Sequence, residues 1–241
     1  MRRLTGTGWQ KEFSASADRE AFLRANSHLP GPRSNLELLS AAAEEVDEAW
    51  ATRWAAAPVG DDPTDVFVVS VGLVALGRFV AADSANASRS GALLRRRAAD
   101  DEWRIREAVA IALQRLGDDH PSELAAIARD WSTSGDMLVA RAAVAAVAEP
   151  RLLKSTAAVN AALDVMEAAT ALVVAAPDRR TEPVRVLRQA LGYAWSVVVA
   201  ADADRAWPHF VEWSKRDDAD VQWIVRENLK KNRLARLGLS L

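Results

Sequence analysis

His209 and Glu212 come closest to the spacing of a metal site, because residues three apart on a helix share one face. A zinc site needs at least three protein ligands. The other histidines, His28 and His120, are not at helical spacing from this pair, and the chain has no cysteine. We therefore expect no metal ion, no disulfide and no thiolate chemistry, a composition that fits a reducing compartment.

Gly6 and Gly8 begin a Gly-x-Gly pattern, but Lys11 stands where a dinucleotide-binding loop has its third glycine, and no predicted strand precedes it. The sequence contains neither a Gly-Lys-Ser/Thr phosphate-binding loop nor a Gly-x-Ser-x-Gly nucleophile elbow. We therefore expect no cofactor.

Basic residues are concentrated in two short segments, the first at 95–97 and the second in the last predicted helix, 219–236. The formal charge of the whole chain is −2, which excludes a globally basic DNA-binding surface. Such segments can contact phosphates. Alternatively, the first segment pairs with the acids at 100–102, and the second is a solvated helix end whose charge complements its dipole. The candidates from these segments are Arg95, Arg96, Arg97, Arg226, Lys230 and Lys231.

Nine tryptophans raise the possibility of aromatic platforms for a base or a partner. Trp103, Trp195 and Trp223 lie on apolar helical stripes, where packing in the core is the more common role. Exposure is favoured for Trp131, because polar residues flank it, and for Trp50 and Trp54, because they share one helix face.

The elements that position these side chains are predicted to be helices throughout, since no segment alternates with a period of two. Ser34 and Glu37 form a capping box, and Asp62-Pro63, His120-Pro121 and Glu182-Pro183 mark other helix starts. The first dozen residues are expected to be loose. Helices are predicted near 18–27, 35–55, 64–82, 89–99, 102–117, 121–133, 136–149, 156–176, 182–201, 204–215 and 219–236.

The most apolar run, from Val66 to Ala82, is slightly short for a membrane span and contains Gly72, Gly77 and Arg78. It is predicted to be a buried core helix. The N-terminus has two arginines without an apolar stretch behind them, so it does not resemble a signal peptide. We expect a soluble, cytoplasmic protein without membrane contact.

A repeated pattern joins the helices of the C-terminal part. Asp101–Glu107 and Asp220–Glu227 both place a Trp three residues before an Arg-Glu pair, and Asp136–Arg141 repeats the Asp-to-Arg spacing. The arginines at 106, 141, 188 and 226 are 35, 47 and 38 residues apart, which is typical of two-helix solenoid units. In each unit the acid caps a helix and the Arg can bond the acidic cap of a neighbouring repeat.

This pattern resembles the HEAT-repeat superfamily over about residues 100–237, and Asp218–Leu229 matches the second-helix motif of that superfamily. The resemblance implies an all-α fold, an α-α superhelix of right-handed curl. Because no long linker separates the predicted helices, residues 1–241 are expected to form a single domain. Residues 1–99 match the repeat poorly and are interpreted as divergent or capping repeats.

The Trp-x-x-Arg element of Trp103–Arg106 and Trp223–Arg226 is also similar to the HEAT-like alkylpurine DNA glycosylases of alkylation repair. That family carries a catalytic Trp and Asp four residues apart, with an Arg about one repeat later, which maps onto Trp103, Glu107 and Arg141. A Glu replaces the Asp here, and Arg106-Glu107 recurs at Arg226-Glu227, as a structural repeat element would. Trp213 and Asp217 have the same spacing, with Asp217 expected in a turn.

Two classes of function remain open. The leading hypothesis is a non-catalytic scaffold, expected to be a monomer, that binds a protein or nucleic-acid partner on its concave face. The alternative is a DNA glycosylase, or a DNA-binding relative that has lost catalysis, with a basic groove lined by Arg141, Arg106 and Arg95–Arg97. The partner-binding candidates therefore also include Arg106, Trp131 and Arg141.

Overall fold

The computed structural model describes residues 6–81, 86–239 and 241, and within these residues the chain is helical with no strand. Helix accounts for 74% of the structure. The predicted all-α class is therefore confirmed. The chain divides into two compact units at Leu116–Gly117, which lies inside one helix.

The first unit contains six helices and most of a seventh within the described residues. A short 3-10 turn, Gly77–Phe79, follows the fifth. The bounds are α1 Gly6–Ala15, α2 Arg19–Asn26, α3 Leu36–Glu45, α4 Glu48–Ala56, α5 Asp65–Leu76, α6 Ala87–Ala98 and α7 Trp103–Asp119.

Helix α5 is the centre of the first unit. Every residue after Asp65 in this helix is buried, as the apolar composition predicted, while Ala82 lies outside the described residues. Gly72 allows α5 to approach α4 closely, because a Cβ at this position would lie 2.5 Å from the backbone nitrogen of Ala55. The apolar run is thus a core helix rather than an amphipathic surface helix.

The second unit consists of the helices that follow Gly117, and they pack mainly against helices one or two positions away in the chain. Their bounds are α8 Pro121–Ser132, α9 Met137–Val147, α10 Thr156–Ala175, α11 Glu182–Ala201, α12 Ala203–Ser214, α13 Ala219–Leu229 and α14 Asn232–Ala235.

Ion pairs join the start of α13 to the segment around α11. Arg179 donates to the carboxylate of Asp218 at 2.6 Å, and Arg188 donates to Asp220 at 2.5 Å. Asp218 is also the N-cap, accepting from the backbone N–H of Val221. The N-cap of α13 is thus bonded by Arg179, which is not one of the repeat arginines, whereas the repeat arginine Arg188 bonds Asp220, two residues after the cap.

Two predicted helices are divided in the structure, and the predicted loose N-terminus is helical. Helix 35–55 is divided because Val46 is extended and Asp47 begins a new helix by accepting from Trp50 N. Helix 219–236 is divided at Lys231, which is also extended. The predicted loose N-terminus is helical from Gly6 to Ala15, since Phe13 is fully buried against Phe22.

The predicted capping box is displaced by one residue. The N-cap of α3 is Asn35, whose side chain accepts from Leu38 N at 3.1 Å, rather than Ser34. Asp62 accepts from Thr64 N and α5 begins only at Asp65, so Pro63 is not its first residue.

Among the described helices, α10 is long and apolar enough to cross a membrane by length and composition alone, and half of its most apolar window is buried inside the protein. Its buried residues include Val165, Met166 and Val173, which face other helices. This burial is consistent with the core helix of a soluble protein.

Candidate functional site

The first unit contains a groove of about 750 Å³ that includes two of the residues singled out from sequence, Trp103 and Glu107. We call it the Trp103 groove. Segments from α1, α3, α7 and the loop between α2 and α3 form it. Its lining includes Trp9, Glu12, His28, Arg33, Leu36, Glu37, Leu39, Ser70, Trp103, Arg104, Glu107, Ala108 and Ile111.

Trp103 is exposed, with 53% of its surface accessible, so its expected place in the core is wrong. Trp103 is the first residue of α7. The buried stripe of this helix begins only at Ile105 and continues through Ala108 and Val109, so it does not include Trp103. The guanidinium of Arg104 lies over the Trp103 ring at 4.5 Å and within 3.6 Å of the Glu102 carboxylate. A cation–π contact and an ion pair therefore hold the ring at the mouth of the groove.

Leu36 is, with Trp103, an exposed large apolar side chain of the groove, with 60% of its surface accessible. It is the first residue of α3, and the buried Asn35 beside it fixes the approach of the chain. The Asn35 carboxamide caps α3 and also donates to the carbonyl of Asn26 at 3.0 Å. Asn35 thus positions both the start of α3 and the loop between α2 and α3, which together form part of the groove.

The charge of the Trp103 groove is slightly negative. Three glutamates, Glu12, Glu37 and Glu107, line it against two arginines, Arg33 and Arg104, which leaves a formal charge of −1 with His28 neutral. Phosphate groups are not attracted to such a surface. The groove therefore differs from the basic one that the DNA-repair hypothesis requires.

Four arginines expected in a basic groove, Arg95, Arg96, Arg97 and Arg106, are not among the residues that line the Trp103 groove. Arg106 is buried and donates to the carbonyls of Asp100 and Asp101, two bonds within its own turn of the chain.

Arg97 bonds with Asp100, as the sequence suggested for the basic triplet, and with the carbonyl of Ala55 at 2.9 Å. Its guanidinium therefore ties α6 to the end of α4. Arg95 and Arg96 lie on the same helix, half-buried and exposed respectively.

Arg141 belongs to the second unit, where it is half-buried on α9. The helix that carries it begins as predicted, because Asp136 accepts from the backbone N–H groups of Leu138 and Val139.

Trp131, expected to be exposed, is 4% exposed. Leu124, Ala128 and Trp131 follow the helical period and form the buried stripe of α8, which outweighs the polar neighbours of the tryptophan in sequence. Trp54 is also buried, and its indole N–H donates to Glu20 at 2.7 Å, whereas Trp50 is half-buried. Trp195 is buried as predicted.

The basic segment at the end of the second unit surrounds Tyr193, which is 49% exposed. Arg233 donates to the tyrosine hydroxyl at 2.7 Å and covers the ring, with the Lys231 ammonium at 5.9 Å. Arg226 is exposed on α13, and Lys230 is exposed directly after the end of that helix. The Lys230 ammonium bonds Glu227 at 2.6 Å, which lowers the pKa of that carboxyl.

His209, noted in the sequence for its spacing from Glu212, contacts Glu167. Its Nδ1 lies 3.0 Å from the Glu167 carboxylate, which also accepts from the indole N–H of Trp213 at 2.8 Å. Across the described ranges, no group of three His, Cys, Asp or Glu side chains is placed to hold a metal ion.

Leu36 and Tyr193 are the exposed residues that sequence reasoning missed. Neither was among the candidates from the sequence. The cationic partners of Tyr193 lie about 40 residues away in the sequence, so no local motif reveals them. Only long-range packing brings these groups together.

No protein-family model matches the chain, and no curated protein matches it significantly. One similar solved structure is the crystal structure of an engineered protein from a structural genomics consortium. The identity is 16% and the TM-score 0.36, over 95% of this chain and 96% of that one. A TM-score this low does not establish a common fold.

Proposed function

We propose that the chain is a non-catalytic, cytoplasmic scaffold of HEAT-like helix pairs in an α-α superhelix that binds a protein partner through the Trp103 groove. The observation that carries the proposal is the exposure of Trp103 and Leu36 within one groove with a charged rim. Aromatic anchors surrounded by polar residues are typical of protein interfaces.

The superhelix is supported by the repeat pattern and by the ion pairs in the second unit. Arg188 and Asp220 are 32 residues apart, and Arg179 and Asp218 are 39 apart, which is the length of one helix pair. Each pair joins an arginine to the start of a later helix, as adjacent repeats of a solenoid do.

A photo-crosslinking amino acid in place of Trp103 or Leu36 tests the binding proposal in cells. We expect one discrete adduct from both positions, identified by mass spectrometry. The matched control is the same amino acid in place of Tyr193, which is similarly exposed in the second unit. Identical adducts from all three positions, or no adduct from the groove, would contradict the proposal.

The alternative function is that of an alkylpurine DNA glycosylase, or of a DNA-binding relative without catalysis. One observation favours it, namely that Trp103 and Glu107 line the same groove. The negative formal charge of that groove weighs against it. Release of methylated bases from alkylated DNA, lost in Glu107→Gln, would support the enzyme. Salt-sensitive DNA binding without product would support the non-catalytic relative.

A further inference from the structure

We infer that the Trp103 groove recognises a segment that presents an arginine or lysine next to an aliphatic side chain. This inference rests on the proposed function, because it names the chemistry of the partner at the same site. Three features of the groove support it: its carboxylates, the exposed face of its tryptophan and its exposed leucine.

The carboxylates favour a cationic group. Glu12, Glu37 and Glu107 line the groove from three different helices, α1, α3 and α7. They outnumber the two lining arginines, Arg33 and Arg104, so a cation that enters the groove meets more opposite charge than like charge.

Trp103 already shows which group its ring attracts. The Arg104 guanidinium lies 4.5 Å from the ring centroid, yet 53% of the Trp103 surface remains accessible. A tryptophan ring has two faces with the same negative quadrupole, so it can hold a second cation. The groove's own arginine thus illustrates the contact that we assign to the partner.

Leu36 sets the second requirement. With 60% of its surface accessible in the same groove as the exposed Trp103, it offers an apolar contact that a cation alone would not cover. The volume of about 750 Å³ is suited to a few side chains. An aliphatic residue next to the cation would cover Leu36.

A direct test uses the purified full chain and the blocked peptide Gly-Leu-Lys-Leu-Gly. The indole N–H resonance of Trp103, assigned with Trp103→Phe, reports binding by NMR. We expect a saturable shift with the lysine peptide, weakened by salt, and none with the counterpart in which Glu replaces Lys. Equal shifts with both peptides would overturn the inference.

The glutamates are tested by the double variant Glu37→Gln/Glu107→Gln, which preserves side-chain volume. We expect its dissociation constant for the lysine peptide to rise about tenfold, corresponding to about 1.4 kcal/mol. The control Asp61→Asn/Asp217→Asn removes two exposed carboxylates elsewhere and should leave binding unchanged. Unchanged binding in the groove variant would refute the role of the glutamates.

The two proposals can fail separately. If the crosslinker in the groove captures a partner but the lysine peptide does not bind, the groove is an interface of different chemistry and only this inference falls. If the peptide binds but crosslinking in cells gives no adduct, the recognition chemistry stands and the scaffold proposal falls.

Discussion

The side-chain oxygen of Asn228 accepts a hydrogen bond from the backbone N–H of Ser196 at 2.8 Å, which joins α13 to the middle of α11. The same carboxamide donates to the carbonyl of Leu191 at 2.8 Å. Asn228 is fully buried, so water cannot replace these bonds. The packing of α13 on α11 therefore depends on one polar side chain inside an apolar contact.

Asn228→Leu should lower the free energy of unfolding by about 2–3 kcal/mol, because buried backbone groups of α11 lose their partner. Asn232→Ala, at an exposed position of α14, should change it by less than about 0.5 kcal/mol. Urea denaturation monitored by circular dichroism gives both values. Equal effects would show that the Asn228 bonds add little.

Gly72→Ala should destabilise the first unit by about 1–3 kcal/mol or more, because the new methyl group would lie 2.5 Å from the Ala55 nitrogen and 2.7 Å from Trp54 Cβ. Gly91→Ala is the matched control in α6, where the nearest atom is 3.9 Å away. It should stabilise the protein by about 0.5–1 kcal/mol through helix propensity. Thermal denaturation of the two variants should therefore shift in opposite directions.

Trp103→Ala should leave the free energy of unfolding nearly unchanged while it removes binding at the groove, since the ring is exposed. Trp195→Ala should cost about 3–5 kcal/mol, because that ring is buried and its indole N–H donates to Thr170 at 3.1 Å. Denaturation of both variants measures the difference. A large loss of stability in Trp103→Ala would contradict the groove as a surface.

Asp218 should make stability depend on pH in the acid range. Burial raises the pKa of its carboxyl, but the hydrogen bond from Arg179 and those from the start of α13 lower it, and the net result is a pKa below the ordinary value. A carboxyl with a depressed native pKa contributes stability above its unfolded pKa and loses that contribution as pH falls through its native pKa.

The stabilisation by Asp218 should therefore be complete above about pH 5, where the unfolded carboxyl is ionised, and should decrease as pH falls below this value towards the depressed native pKa. Asp218→Asn isolates it, since the amide does not titrate. The difference in unfolding free energy between the two proteins should shrink as pH falls through this window. The exposed Asp217→Asn serves as the control, and a constant difference across the window would contradict the assignment.

The helix caps show which contacts can be predicted from neighbouring residues alone. Asp136 and Asp218 were both predicted at helix starts, and both accept backbone N–H bonds from residues two and three positions later. Such bonds need only neighbouring residues, so they can be read from short motifs. Asn35 displaces Ser34 for a non-local reason, because its amide also bonds Asn26.

The tryptophans show where local rules stop. Trp103 and Trp131 each lie in an amphipathic helix, yet the first is exposed and the second buried, the reverse of the prediction. The period of a helix gives the relative orientation of its side chains. Which orientation faces the core depends on where neighbouring helices pack, and that depends on contacts distant in sequence.

By itself, the sequence determined the all-α class, the buried character of α5 and most helix boundaries, because propensity, capping and apolar periodicity act over a few residues. Tertiary structure alone decided that Trp103, Leu36 and Glu107 line one groove and that Tyr193 meets Arg233. These relations join residues from separate helices, so they arise only when those helices pack together.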